Sequence, residues 1–259
     1  MVLSKIAKLP IFKRLIPSVG IRLLKILGKN RKYYSIKKIN MYLDFLDPID
    51  REIIIFEEFE KLEIDFLINE IKKNSINYFL DVGANCGFYS LIIAKEIDNI
   101  SIYSFEPNPE AYFKFLKSLE KNQNLSNKIK LENFGLSDNF IKLKMQSMVK
   151  FGYAQTGGTS VVEDKINKNN HTFHANFKTG DEYIYLVNKN LAIKIDVEGH
   201  ELKVLNGLER TLKTNRCIIQ IEIFNSNFTK VNKYLNSLGY THFYKIDERL
   251  NYFYSNFSY

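Results

Sequence analysis

Short apolar runs alternate with amphipathic segments through most of the chain, and the two periodicities predict strands and helices. The predicted elements are, in order, strand 78–82, helix 88–97, strand 100–105, helix 109–121, strand 129–134, strand 191–196, helix 200–213, strand 217–223, helix 227–238, and strands 241–246 and 251–256. Regular alternation of strand and helix predicts an α/β fold in which a parallel sheet carries helices on both faces. The connection at 247–249 is short enough for a hairpin, so the last strand is expected to run antiparallel.

Three segments depart from this alternation. Residues 49–73 predict one amphipathic helix ahead of the first strand, and residues 1–40 mix basic and apolar side chains around two prolines. Residues 140–188 are polar and glycine-containing, and a connection of that length in a compact domain is usually functional. We therefore divide the chain into a basic amphipathic arm with a helical extension, 1–75, and an α/β domain, 76–259, whose insertion at 140–188 covers the substrate.

The net charge of +8 is concentrated in the arm. Residues 1–40 hold 11 of the 37 Lys and Arg residues and none of the 29 acidic ones, so the other 219 residues carry 26 basic and 29 acidic side chains. A slightly acidic body argues against nucleic acid as a partner. Residues 1–28 fit peripheral contact with an anionic membrane, or else a flap against the acidic stretch 50–70. Charges and prolines interrupt every apolar run of the arm, which excludes a spanning helix.

Cysteine usage favours a reducing environment. The two cysteines, Cys86 and Cys217, lie in a loop and in an apolar strand, and the four histidines form no zinc-type spacing with them. The chain is therefore expected to be cytoplasmic, with a peripheral position at the inner membrane face if the arm binds lipid.

The segment from Asp81 to Gly87 lies between the first strand and the following helix and predicts a ligand loop. Its G-x-x-x-G spacing is neither that of a dinucleotide loop nor that of a triphosphate loop. Glu106 ends the next strand, where an acidic side chain accepts hydrogen bonds from ribose hydroxyls. An acidic residue before the first glycine suits a ligand with a cationic end and no pyrophosphate. S-adenosyl-L-methionine has both properties.

Six sequence blocks in a fixed order resemble the FkbM-type family of S-adenosylmethionine-dependent methyltransferases. The blocks are FLDVGANCGFYS at 79–90, SFEPNPE at 104–110, NFGLSD at 133–138, GGTS at 157–160, IKIDVEGHE at 193–201 and IEIFN at 221–225. The resemblance covers roughly residues 76–225. It implies a Rossmann-like class I methyltransferase fold with a seven-stranded, mostly parallel sheet whose last strand is antiparallel.

The resemblance also assigns cofactor-binding residues. The methionine end would be surrounded by Asp81, Gly83, Asn85 and Gly87. The ribose hydroxyls would be held by Glu106, with Pro107 and Asn108 shaping that corner, and the adenine edge would be lined by Gly135, Leu136 and Ser137.

A second group of polar residues follows the predicted strand 191–196 and the next one. An open α/β sheet binds ligands at this carboxyl edge, and methyl transfer to oxygen needs a base that removes the hydroxyl proton. The candidate catalytic residues are Asp196, Glu198, His200 and Glu222. His200 has the best-suited ordinary pKa, whereas the resemblance gives more weight to the carboxylates. No metal ligand is predicted, although the three carboxylates leave a divalent cation open as an alternative.

The resemblance implies methyl transfer to a hydroxyl group, and we expect a sugar acceptor in bacterial surface-glycan synthesis, for capsule or lipopolysaccharide. The acceptor is expected to be a small molecule or glycan, carried as a nucleotide-linked or lipid-linked sugar. Two alternatives remain open: an RNA or protein methyltransferase, and a membrane-attached protein that binds the cofactor without turnover.

Overall fold

The computed structural model describes residues 30–150, 153–162, 169–246 and 250–257. The first half of the described chain contains β1 (Arg31–Ile36), β2 (Ile39–Asp44), α1 (Pro48–Phe56), α2 (Lys61–Lys73), β3 (Tyr78–Val82), α3 (Phe88–Glu96), β4 (Ser101–Phe105), α4 (Pro109–Glu120), α5 (Gln123–Ser126), β5 (Ile129–Glu132) and β6 (Gly135–Ser137). The second half contains β7 (Ile141–Ser147), β8 (Val149–Lys150), β9 (Tyr153–Ala154), β10 (Ser160–Val161), β11 (His171–Thr179), α6 (Gly180–Tyr183), β12 (Asn190–Ile195), α7 (Glu201–Gly207), α8 (Glu209–Thr214), β13 (Arg216–Glu222), α9 (Asn225–Ser237), β14 (Thr241–Lys245) and β15 (Asn251–Ser255).

The main sheet of the described residues has seven strands in the order β14-β15-β13-β12-β3-β4-β5. Neighbouring strands from β13 to β5 pair in parallel, and β15 is antiparallel to both β13 and β14. The central strands are mostly apolar and buried because helices cover both faces of the sheet. This order confirms the predicted Rossmann-like class I methyltransferase fold with an antiparallel last strand.

The segment ahead of β3 differs from the predicted helical extension. Residues 31–44 form a β-hairpin, with β1 antiparallel to β2. Its two-residue turn uses Lys37 and Lys38 at positive φ, 46° and 66°, rather than the Asn-Gly pair that signals such a turn. Ile36, Ile39 and Met41 are buried in the same core as the main sheet. The basic arm at 1–28, with its predicted membrane contact, lies outside the described residues.

Two predicted helices are each divided. The helix predicted at 49–73 is interrupted between α1 and α2, where Glu57 and Glu60 have positive φ values of 55° and 44°. The helix predicted at 200–213 is divided into α7 and α8. At Gly207, the end of α7, a Cβ atom would lie 1.9 Å from the carbonyl oxygen of Ser137, so this position has no room for a side chain.

The insertion at 140–188 builds a second sheet instead of an irregular loop. Among the described residues, the strands of this second sheet have the order β10-β7-β11-β6. β6 precedes the insertion and follows β5 in sequence, and β11 runs parallel to it. Segment 153–159 of this insertion reaches the carboxyl edge of the main sheet, where the loops after β3, β4 and β12 meet. The fold therefore brings the insertion and the predicted site residues to one cleft.

Candidate active site

An open cleft lies at the carboxyl edge of the central strands. Its empty volume is about 900 Å³, including the part open to solvent. The loops after β3, β4, β6 and β12 line it, together with the GGTS block of the insertion. The sequence-predicted residues that line it are Asp81, Gly83, Asn85, Glu106, Pro107, Gly135, Leu136, Asp196, Glu198 and His200.

Asp81 is the penultimate residue of β3 and has no exposed surface. Its Oδ2 accepts a hydrogen bond from the Ser90 hydroxyl, whereas Oδ1 has no partner within the described residues. Burial raises the pKa of Asp81, although Lys194 opposes the shift. A buried carboxylate oxygen without a partner is costly, so this atom fits a cationic group supplied by a ligand.

The glycines of the β3–α3 loop serve the protein's own packing. Gly83 and Gly87 have positive φ values of 84° and 82°. A Cβ atom at Gly83 would lie 1.9 Å from the Asp196 carbonyl oxygen, and one at Gly87 would lie 2.2 Å from the Phe115 ring. The absence of a side chain at both positions lets the loop pack against the end of β12 and against α4.

Glu106 joins two loops at the end of β4 and is only 6% exposed. Its two carboxylate oxygens accept hydrogen bonds from the backbone N–H groups of Asn85 and Asn108, each at 2.7 Å. Burial raises the pKa of Glu106 to about 7. Asn108 does not line the cleft; its side chain caps α4, and its Nδ2 donates to Thr159. Each Glu106 oxygen retains acceptor capacity for a hydroxyl group, which suits a ribose diol.

An apolar wall continues from Glu106 through Gly135 and Leu136 to Met145 and Phe177. Ser137, predicted to line the adenine edge, is not among the residues that line the cleft. Its hydroxyl is hydrogen-bonded to Nε2 of His200 at 2.9 Å, which holds the imidazole against β6.

His200 is 5% exposed, and burial lowers its pKa to about 4. The imidazole is therefore neutral at pH 7, with one nitrogen bonded to Ser137. Its other nitrogen, Nδ1, has no partner in the part of the chain that the structure describes. The neighbouring Glu201 is also buried, and its Oε1 accepts a hydrogen bond from the Gly199 N–H.

The other three candidate catalytic residues form a compact acidic cluster, which consists of Asp196, Glu198 and Glu222. Their nearest carboxylate oxygens all lie within 4.8 Å of one another. Asp196 is hydrogen-bonded to Glu222 and forms an ion pair with Lys194, whose Nζ lies 3.0 Å from Oδ2. Glu198 adopts a positive φ of 53° and turns the loop toward the insertion. Asp196 and Glu198 line the cleft; Glu222 supports them from behind.

The charges of this acidic cluster are unequal. Burial would raise the pKa of Asp196, but Lys194 holds it below its ordinary value. Burial, reinforced by Asp196, raises the pKa of Glu222 to about 8 and that of Glu198 to about 7. The Asp196–Glu222 pair therefore carries one proton near neutral pH, on Glu222. Three carboxylates are a ligand set that Mg²⁺ or Ca²⁺ accepts, but Lys194 already supplies one positive charge here.

Sequence reasoning missed the polar groups that hold the insertion over the cleft. Thr156 donates from its N–H and its hydroxyl to Oδ2 of Asp47, both at 2.8 Å, and its hydroxyl lies 3.1 Å from the Asn85 side chain. Lys114, 1% exposed, donates to Thr156 and forms a 2.7 Å ion pair with Asp50. The only sequence signal was a lysine on the buried face of the amphipathic helix α4.

Comparisons with known proteins identify the family of this chain. The model of the methyltransferase FkbM domain matches residues 81–241. The hexuronic acid methyltransferase AglP of Haloferax volcanii is 26% identical over 161 residues, which are 61% of this chain and 60% of that protein's length. Methyltransferase 1 of Beauveria bassiana is 26% identical over 179 residues, 58% of this chain and 69% of that one.

Among solved structures, the methyltransferase FkbM from Methylobacillus flagellatus matches with a TM-score of 0.49 and 18% identity, over 70% of this chain and 43% of the other. The family model covers well over half of the chain and includes the β3–α3 loop, Glu106 and the acidic cluster. The chain belongs to the FkbM methyltransferase family.

Proposed function

We propose that the protein is an S-adenosylmethionine-dependent O-methyltransferase that acts on a sugar hydroxyl in bacterial surface-glycan synthesis. The observation that carries the proposal is that one cleft is lined by two sets of groups. Asp81 and Glu106 suit the cofactor, and Asp196 and Glu198 of the acidic cluster line the same cleft. This arrangement is what transfer of a methyl group between two bound molecules requires.

The cofactor, when bound, supplies an electrophilic methyl group on a sulfonium ion. Asp81 would balance the positive charge of its amino acid end, where Oδ1 has no partner among the described residues. Glu106 would accept hydrogen bonds from the ribose hydroxyls while its backbone bonds fix the two flanking loops. The residues present therefore fit this cofactor.

Asp196 is our candidate for the base that accepts the hydroxyl proton. It lines the cleft, and Lys194 keeps it ionised. Glu222 carries the proton of the pair and hydrogen-bonds Asp196, which fixes the orientation of its carboxylate. Glu198 lies beside the expected position of the acceptor. His200 is neutral but bonded to Ser137, which favours the carboxylates over the imidazole.

A sugar acceptor is supported by two observations. The cleft offers several carboxylate oxygens as acceptors for a polyhydroxylated molecule, and the relative AglP is a hexuronic acid methyltransferase. We propose that the methyl acceptor is a hydroxyl group of a nucleotide-linked or lipid-linked sugar. The protein would work in the cytoplasm, and residues 1–28 would contact the inner membrane face. Within the described residues, no helix is long and apolar enough to cross a membrane.

The test is methyl transfer from labelled S-adenosylmethionine to a panel of nucleotide-linked sugars, lipid-linked glycans, proteins and RNA. Label should enter a sugar fraction, and Asp196→Asn, assayed in parallel, should abolish most of that transfer. Label in RNA or protein but in no sugar would establish the alternative acceptor class. Cofactor binding with no transfer to any acceptor would support the binding protein without turnover.

A further inference from the structure

A second, smaller pocket lies on the other side of the loop that carries Glu198 and His200. It has about 570 Å³ of empty space, including open solvent, and is lined by residues of that loop, of α7 and of α9: Gly199, His200, Leu202, Lys203, Asn227, Lys230 and Val231. We call it the lysine pocket. Since β12 and β13 are parallel neighbours, α7 and α9 both start at the carboxyl edge of the sheet, beside the acidic cluster.

The lysine pocket has the opposite charge to the acidic cluster. Both charged side chains among its lining residues are lysines, and neither carboxylates nor aromatic rings other than the His200 imidazole line it. Lys203 lies 3.5 Å from Asp138 in a half-exposed ion pair. Lys230 has no ion pair in the part of the chain that the structure describes. Asn227 adds an amide, whose Nδ2 lies 3.4 Å from the Gly199 carbonyl oxygen.

The acidic cluster and the lysine pocket together determine the orientation of an acceptor that contacts both. A negatively charged group placed against Asp196 and Glu198 would be repelled by both, because like charges at contact distance cost free energy even at a partly exposed site. The same group placed against Lys203 and Lys230 would be attracted. A sugar that carries a phosphate group at one end is therefore favoured in the orientation that places the phosphate against the two lysines.

We propose that the lysine pocket binds the phosphate or diphosphate group of the acceptor while the sugar lies against the acidic cluster. This inference rests on the proposed function, because it assumes that the acceptor's hydroxyl reaches the acidic cluster. Phosphate linkage is common to a nucleotide-linked and a lipid-linked sugar, so the pocket recognises the chemistry that the two share. Lysine binds such a group as a point charge with three donors.

The first test measures binding of inorganic pyrophosphate to the full-length protein by calorimetry at low ionic strength. The double variant Lys203→Gln, Lys230→Gln should weaken binding by at least about tenfold, since two charge-assisted contacts are lost. Lys233→Gln is the matched control, because Lys233 is an exposed lysine on α9 outside the pocket, and it should leave the dissociation constant unchanged. Equal weakening in the control, or equal binding by the double variant, would overturn the inference.

The second test compares acceptors in the methyl-transfer assay. The double variant should raise KM by about tenfold for a nucleotide-diphosphate hexose, for a polyprenyl-diphosphate hexose, or for both, and should leave KM for the corresponding methyl glycoside unchanged. Which phosphorylated acceptor responds identifies the source of the phosphate. An unchanged KM for every phosphorylated substrate overturns the inference and leaves the proposed function intact. Failure to bind S-adenosylmethionine, with pyrophosphate binding preserved, would refute the proposed function and leave only phosphate binding by the lysine pocket.

Discussion

Cofactor binding should depend on pH through Glu106. Its pKa of about 7 reflects burial, and hydrogen bonds from Asn85 and Asn108 only partly offset that effect. The ribose hydroxyls need an ionised acceptor, so each pH unit below about 7 should weaken binding of S-adenosylhomocysteine by about tenfold. Above pH 8 the affinity should level off. Replacing the carboxylate in Glu106→Gln should remove this pH dependence.

The magnitude at pH 8 follows from the hydrogen bonds lost. A hydrogen bond to a charged group contributes about 1.5–3 kcal/mol, so Glu106→Gln should weaken binding by about 10- to 150-fold at pH 8. Glu106→Gln keeps one acceptor oxygen, so one of the two backbone hydrogen bonds can remain, whereas Glu106→Ala removes both. We therefore expect Glu106→Gln to disturb the two loops less. Thermal unfolding should be recorded for both variants, so that a misfolded loop is not mistaken for a lost ligand contact.

Stability should show the opposite pH dependence to binding. The folded-state pKa of Glu106 lies above its unfolded value, so its contribution to the free energy of unfolding is complete below about pH 4.5 and is lost as pH rises toward 7. A shift from 4.5 to about 7 corresponds to roughly 3 kcal/mol. Relative to Glu106→Gln, the wild type should lose stability over this interval.

Calorimetric titration with S-adenosylhomocysteine between pH 5.5 and 8.5 checks the binding prediction. An equally steep pH dependence in Glu106→Gln would assign the titration to another group, with Asp81, whose pKa is also raised by burial, as the first alternative. An unchanged dissociation constant at pH 8, with folding intact, would remove Glu106 from the ribose site.

Three further changes test other parts of the molecule. Asp196→Asn should lower kcat by at least about 100-fold at saturating cofactor while affecting cofactor affinity much less, and His200→Ala should be milder; the reverse order in steady-state kinetics would make the histidine the base. Deleting residues 1–28 should preserve cofactor binding and abolish salt-sensitive sedimentation with anionic vesicles, whereas unfolding of the truncated protein would favour a packed flap. Lys114→Met should lower the free energy of unfolding by about 3–5 kcal/mol, because it leaves a buried charge unpaired, and Lys117→Met, at a half-exposed lysine of the same helix, should change it little; equal effects in chemical denaturation would contradict the proposed burial effect.

The order of the main sheet's elements could be predicted from the sequence because its signals are local. A mostly apolar run such as 191–195 predicts a strand that is buried on both faces. The helices between such runs have apolar residues at helical spacing, so that one face of each helix packs on the sheet. Glycine and carboxylate blocks at the ends of these strands placed the cleft, since strand ends of a parallel sheet meet at one edge. The six blocks also carried the resemblance to the family.

Contacts between distant segments were decided by the tertiary structure. The hairpin at 31–44 was missed because its turn lacks the usual residues. The hairpin is stabilised by the apolar side chains of one face, which pack in the core of the main sheet. Lys114 becomes important only because Asp50, 64 residues away in sequence, lies against it.

The roles of the candidate site residues depended on neighbours in the same way. His200 is an attractive base by its ordinary pKa, but burial lowers that pKa and a bond to Ser137 takes up one nitrogen. Asp196 and Glu222 differ in charge because one of them contacts Lys194. The sequence determined which chemical groups reach the sheet edge, and the tertiary structure decided their protonation, because a pKa is set by the charges and burial that folding brings around each group.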